Sequence, residues 1–514
     1  MTGQRLTRRL TRRRVLAEGL GGAGALVLGA GLAGCGTGEG RAAAASGSTR
    51  RSTWRDTVGD GQLRVTPGEG MLTRPELGAP SRDGPVLATL AHVTDAHVLD
   101  ASSPARVSFL DRLGAPFEST FRPQEALTAQ VLAGGARAVR ALSPDAVIQG
   151  GDLIDNDQNN ELVHGLAALH GGVVHPGSGR RGYDGVQLRS DTDPFYYRPA
   201  VDAPVYPALL SDAVRPFRSP GVRAPVLPVL GDHDALVAGT VVPTALTRAL
   251  AVGDRALWDL PQGLDVPAGL RARSTGSPDG PPDPGVVDAL LRQALRGPTV
   301  PVPADPGRRQ LSFAESVSRL VTAGGRGVGA APGPRLDYTV DIGAAVRVVV
   351  LDLVRRGGGS GGQVDASQPA WLARELQAAG DRWVVVVTHQ PLLSSQSGED
   401  VLAVLDRSPR VIAALNGHTH RNVVTARRTA AGGYWLIATA SLIDFPQQAR
   451  ALQIRATARG GVAIHAWMLD HVGDGALGGI SRQLSYIDAQ GGRPQGFAGS
   501  ARDRNVILYR GPVR

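Results

Sequence analysis

The sequence predicts an α/β fold built from mixed β-sheets with helices outside them. Three observations predict it. Short apolar, β-branched runs recur along the chain, and stretches with helical spacing stand between several of them. Polar side chains capable of chemistry follow directly after the apolar runs, at the strand ends where open α/β folds place ligands.

The elements follow in order. Val86–Val93 is an apolar run ending in Thr94-Asp95-Ala96-His97, and Gln124–Leu142 has the helical spacing of Ala, Leu and Val. Ala146–Gln149 reads as a short strand running into Gly150-Gly151-Asp152, and Val226–Leu230 as another ending in Gly231-Asp232-His233-Asp234. Tyr338–Ile342 and Val346–Val354 read as strands able to form a hairpin across Gly343-Ala344-Ala345. Gln368–Ala379 places Trp371, Leu372 and Leu376 on one helical face. Trp383–Val387 leads to His389, and Val411–Leu415 to Asn416-Gly417-His418-Thr419-His420. Late strands are expected at Tyr434–Ala440, Ala451–Ala456 and Val462–Leu469. Residues 157–222 and 253–336 interrupt this rhythm and read as insertions that either cap or flank a site or are simply surface loops.

The chain has 514 residues, enough for one elaborated domain or two. Its basic residues are all Arg, which weakens Arg clusters as a sign of nucleic-acid binding. The net charge is +9, and it falls to +4 without residues 1–34, which carry six Arg and one Glu. With an aromatic content of 4%, that balance disfavours a nucleic-acid partner.

The N-terminus reads as an address. Thr11-Arg12-Arg13-Arg14-Val15-Leu16 precedes a weakly apolar Gly/Ala-rich stretch, resembling a twin-arginine export signal. Leu32-Ala33-Gly34-Cys35 resembles a bacterial lipobox, and Cys35 is the chain's single cysteine. Export, and a membrane anchor through a lipidated Cys35, are therefore expected, with cleavage near Ala42–Ala45 and release of a soluble protein as the alternative. The expected organisation is a signal peptide over 1–34, a linker and irregular lead-in over 35–84, and a catalytic domain over 85–514.

The chemistry rests on five ordered blocks: Asp95-x-His97, Gly151-Asp152, Gly231-Asp232-His233-Asp234, His389, and Gly417-His418-x-His420. Asp and His are donors for Mn, Fe or Zn ions. D-x-H and H-x-H at a strand end each put both side chains on one side of the chain. One carboxylate can bridge two metals, and a nearby His can protonate a leaving group. Any one block alone is weak; five in order are specific.

This ordered set resembles the calcineurin-like metallophosphoesterase superfamily, the dinuclear metallophosphatases, over roughly residues 86–470. Gln368-Pro-Ala-Trp371-Leu372 and His389-Gln-Pro fit the same pattern, and Ile443-Asp444-Phe445-Pro446-Gln447-Gln448 resembles an exported bacterial branch. The resemblance implies a four-layer α-β-β-α sandwich of two mixed sheets, with metals at the C-terminal ends of strands. It implies that Asp95, His97, Asp152 and His420 hold one metal, and Asp152, Asp232, His389 and His418 a second, with Asp152 bridging. His233 would be the catalytic acid or charge stabiliser, oriented by Asp234. The implied activity is phosphate-ester hydrolysis by a metal-bridging hydroxide, with competence on diesters.

Two positions depart from the family's purple and Asn-bearing members. Asp232 stands where the third block normally has Asn, which is expected to tighten cation binding and repel anionic phosphate. Asp155 stands where purple acid phosphatases have Tyr, which argues against an iron–tyrosinate site. The alternative reading is a cell-surface lipoprotein with a binding role and a weakened metal site. His92, His465 and His471 are expected to be structural, and Asn156 to border the site. His164, His170 and His175 read as loop polarity, the other reading being a substrate rim with Arg180, Arg181, Tyr196, Tyr197 and Arg198.

Overall fold

Two mixed sheets divide the polar blocks between them. The computed structural model describes residues 47–113, 120–179, 182–257, 284–324, 335–473, 475–491 and 497–513. The expected signal, Cys35 and the pair Arg180–Arg181 lie outside the described residues.

One sheet has seven strands: β1 (Leu72–Leu77), β2 (Asp83–Val93), β3 (Ala146–Gln149) and β4 (Val226–Pro228) from the first half of the chain, and three from its end. The other has six: β5 (Tyr338–Ile342), β6 (Val346–Val350), β7 (Trp383–Val387), β8 (Val411–Asn416), β9 (Val423–Arg427) and β10 (Tyr434–Ala438). The chain then returns to the first sheet with β11 (Gln448–Thr457), β12 (Val462–Asp470) and β13 (Val506–Arg510). The sheet orders are β1-β13-β12-β11-β2-β3-β4 and β5-β6-β7-β8-β10-β9. Neighbours β2, β3 and β4 run parallel, as do β6, β7, β8 and β10. Parallel neighbours end along one edge, so the blocks that follow β2, β3, β4, β7 and β8 are collected by topology alone.

Period-two alternation sorts the valines of the second sheet. Val346, Val348, Val350, Val385 and Val387 pack in one cluster with Leu90, Ile148 and Leu452 of the first sheet. Val349, Val384 and Val386 turn the other way, onto Leu372, Val401 and Leu405 of helices α3 (Gln368–Ala378) and α4 (Gly398–Asp406). Helices α1 (Thr128–Leu142) and α2 (Asn159–His170) add Val131, Leu132, Val139 and Leu162 to the first cluster. The strands are buried on both faces, which is why they read as continuous apolar runs.

The expected hairpin forms: β5 and β6 pair antiparallel across Gly343, whose φ of 61° only a glycine adopts freely. Other bounds shift by a few residues, and 351–354 extends past the strand end. The stretch expected to be irregular before residue 85 instead holds strands. Ser52–Arg55 pairs with Arg64–Pro67, and β1 pairs parallel with β13. Arg74 of β1 is buried and donates to the carbonyls of Val424 and Arg502, at 3.2 and 2.7 Å. Backbone pairing holds this segment, with Leu77 as its contribution to the core.

The two insertions meet beside the site. Leu311 N donates to Asp157 O at 2.7 Å, and Asn159 N to Arg309 O at 3.0 Å. The Asp157 carboxyl is buried there with one partner, Gln310 Nε2, at 3.1 Å, and Oδ2 is left without one. Burial pushes this carboxyl from its ordinary 3.8 up to about 7. A raised carboxyl pKa means the folded state holds a proton that the unfolded state has lost, so stability falls as pH rises from about 4 to 7. Asp157→Asn is therefore expected to raise the unfolding free energy at pH 8, read from urea unfolding, by about 2 kcal/mol of a ~4 kcal/mol ceiling. The gain should vanish near pH 4, and a gain equal at both pH values would contradict this account.

Candidate metal centre

Each block delivers its side chains from a tight turn at a strand end. Asp95, His97, Asp152, His418 and His420 all have left-handed backbones, with φ of 53, 43, 50, 64 and 55°. Each such residue without a glycine's freedom costs roughly 1 kcal/mol. The turn folds the chain back so that its N–H groups steady the acids: His418 N donates to Asp95 Oδ1 at 3.0 Å, and His233 N to Asp152 Oδ1 at 2.9 Å. A Cβ on Gly231 would strike the Asp152 carboxylate, so only glycine fits there.

The structure brings the predicted residues together. Ligand atoms of Asp152, Asp232, His389 and His418 lie within 4.8 Å of one another, as do those of Asp95, His97 and His420. Asp152 joins the sets: its Oδ2 is 3.1 Å from His389 Nε2 and 3.7 Å from His97 Nε2. Asp95, His97, Asp152, Asp232 and His389 are buried, whereas His233, His418 and His420 are partly exposed.

Three histidines share one pattern. His97 Nδ1 meets Asp155 Oδ1 at 3.0 Å, His389 Nδ1 meets Gly150 O at 2.8 Å, and His420 Nδ1 meets Asp444 Oδ2 at 2.6 Å. With each Nδ1–H donating outward, each Nε2 lone pair points inward at other acceptors. His97 Nε2 and His420 Nε2 are 3.2 Å apart, and His420 Nε2 is 3.2 Å from Asp95 Oδ1. His389 Nε2 is buried without a hydrogen-bond partner, although Asp152 Oδ2 and Asp232 Oδ1 stand at 3.1 and 3.2 Å. Acceptors facing acceptors in a buried site call for cations. The surrounding carboxylates favour positive charge here: burial opposes charge on His420, yet Asp95 and Asp444 push its imidazole up to about 9. The donor set therefore fits two metal ions.

A third grouping, His97 with Asp155 and His233, also lies within reach of one ion. Its contacts describe hydrogen bonding instead, because Asp155 uses its carboxylate on His97 and its carbonyl on His233 Nδ1, at 2.6 Å. This corrects one expectation. Asp234, which the resemblance makes the residue orienting His233, accepts from Gly231 N and Ile154 N at 2.9 and 3.2 Å. It braces the turn, and Asp155 holds the imidazole. Burial disfavours charge on His233, but Asp152, Asp155 and Asp232 outweigh it and keep the ring above its ordinary range.

Two supporting residues escaped the sequence reading. Asp444 lies in a segment singled out only for its resemblance, and it also takes Arg122 Nε at 2.8 Å. Gln390, next to His389, donates to Asp232 Oδ1 at 3.0 Å, a third contact on a carboxylate already shared by two histidines. Asn156 does border the site, accepting from Ala238 N at 3.2 Å. His92 is buried against Thr439 Oγ1 at 2.9 Å, and His471 meets Gln447 Oε1 at 3.1 Å, both structural as expected.

A cavity of about 190 Å³ opens over the cluster, reached by His97, Asp152, Asp232, His233, His418 and His420. The substrate-rim reading is not met: Tyr196 and Tyr197 are buried with Phe121, and Arg198 pairs with Asp202 at 3.0 Å. His164 and His170 belong to α2 and, with His175, do not line this cavity. A larger hollow of about 600 Å³, between Tyr206, Phe217 and Leu477, contains none of the clustered residues.

No family model and no curated protein matches the chain. Among solved structures it is similar to a dimetal phosphatase from Danio rerio, at 11% identity and TM-score 0.36, over 75% of this chain and 100% of that one. It is also similar to the purple acid phosphatase PPD1 of yellow lupin (Lupinus luteus), at 12% identity and TM-score 0.31, over 76% of this chain and 52% of that one. PhoD is a third, at 11% identity and TM-score 0.29, over 84% and 80%. Likenesses this distant leave the reading of the site to its own residues.

Proposed function

We propose that this chain is a metal-dependent phosphoesterase. The observation that carries the reading is the buried set of inward-facing Nε2 atoms and carboxylates, anchored from behind by Asp155, Gly150 O and Asp444. Asp95, His97, Asp152 and His420 would hold one ion, and Asp152, Asp232, His389 and His418 the other. Mn, Fe and Zn all suit these donors. Bound there, two ions supply Lewis acidity toward phosphoryl oxygens and lower the pKa of water.

The chain's own residues do the rest. His233 Nδ1–H is fixed by Asp155 O, which leaves Nε2 to carry a proton to the leaving oxygen. Its partial exposure at the cavity supports a position on the substrate side. A four-layer arrangement fits the way α1 and α2, and α3 and α4, divide between the two clusters. Competence on diesters, export by the twin-arginine route and anchoring through Cys35 complete the proposal; the last two rest on residues 11–35 alone.

The test is hydrolysis of bis(p-nitrophenyl) phosphate and p-nitrophenyl phosphate by the full chain, stripped with chelator and reloaded with Mn, Zn or Fe. Turnover of either ester that disappears on stripping and returns on reloading is expected. Two bound metals with no turnover of either ester would overturn the reading and favour a binding protein.

A further inference from the structure

The cavity over the cluster has a second character. Outside the charged cluster its lining is mainly aliphatic: Val107, Leu110, Val237, Val241, Leu290 and Leu291 carry it. Helix Pro284–Ala294 presents Leu290, Leu291 and Ala294 to Val107 and Leu110, so the wall is packed in advance. Most of the polar side chains around it are engaged within the protein, and Arg122 Nε donates to Asp444 Oδ1 at 2.8 Å. Arg106 pairs with Glu125, Thr247 Oγ1 donates to Gln310 Oε1 at 3.0 Å, and Thr240 Oγ1 to Ala238 O at 3.1 Å. Few groups are left to match sugar hydroxyls or a charged headgroup. At about 190 Å³ the space is also smaller than the ~300 Å³ where pockets for larger ligands begin.

We propose that the site selects phosphate esters whose substituent is compact and apolar, on the scale of a phenyl ring or short alkyl chain. This rests on the phosphoesterase reading, since the phosphoryl group must sit at the clustered residues for the substituent to meet the aliphatic wall. Val241 and Val287, both on the cavity lining, become specificity-determining residues.

The test is calorimetric binding of two non-hydrolysable probes, phenylphosphonate and 2-hydroxyethylphosphonate, to the metal-loaded full chain. Phenylphosphonate is expected to bind at least about tenfold tighter, the least that burying a phenyl-sized apolar surface should give. Val241→Thr keeps the side chain's shape and should reduce that ratio severalfold; Val287→Thr, at the same wall, is the second variant. Equal binding of the two probes, or a ratio unmoved by both variants, overturns the inference and leaves the phosphoesterase reading standing. No binding of either probe, or of inorganic phosphate, removes both.

Discussion

Asp152→Asn is expected to abolish turnover, by more than about 10³-fold or ~4 kcal/mol in transition-state stabilisation, and to lower metal content below two ions per chain. Asp152 is where the two ligand sets touch. Its Oδ2 faces His389 Nε2 at 3.1 Å and His97 Nε2 at 3.7 Å, while Oδ1 accepts His233 N. Asparagine keeps the shape and one acceptor, but it replaces an anionic oxygen with an N–H donor that points at lone pairs. Metal analysis and turnover on the same preparation provide the check. Two tightly held ions with near-native turnover would show that Asp152 does not bridge.

His233→Ala should behave differently. The ring touches none of the inward-facing Nε2 atoms through a hydrogen bond, and its anchor is a backbone carbonyl. Metal content is therefore expected to stay at the native level while kcat falls by roughly 10²–10⁴-fold, the range for loss of a positioned acid. The loss should shrink for p-nitrophenolate, which needs no proton to depart, and grow for alkoxide leaving groups. A loss that is the same for both would assign His233 to holding the site together. One that comes with lost metal would make it a ligand, as its nearness to His97 and Asp155 allows.

The strand ends were legible in the sequence because burial on both faces writes a strand as an unbroken apolar run, and because the chemistry follows directly after it. Ala146–Gln149 and Trp383–Val387 show this, with bounds as expected. Two of the edge strands write no such signal. Val423–Arg427 buries only Val424, and Leu72–Leu77 contains a proline and a buried arginine, so neither reads as a strand until its partner is seen. The supporting acids were hidden for another reason. Asp444 reaches His420 across 24 positions and Arg122 across 322, and no local spacing encodes such a contact. Asp155 was visible only as a missing tyrosine, yet it touches two histidines through two different atoms.

The left-handed turns carry an evolutionary consequence. At Asp95, His97, Asp152, His418 and His420 the backbone would be more comfortable with glycine or asparagine. Drift constrained only by folding should therefore erase those five identities early and leave the valine-rich sheets intact. A homologue that keeps bulky acids and imidazoles at these positions is still under selection for what they hold, and one that shows glycine there has kept the scaffold after its chemistry was lost.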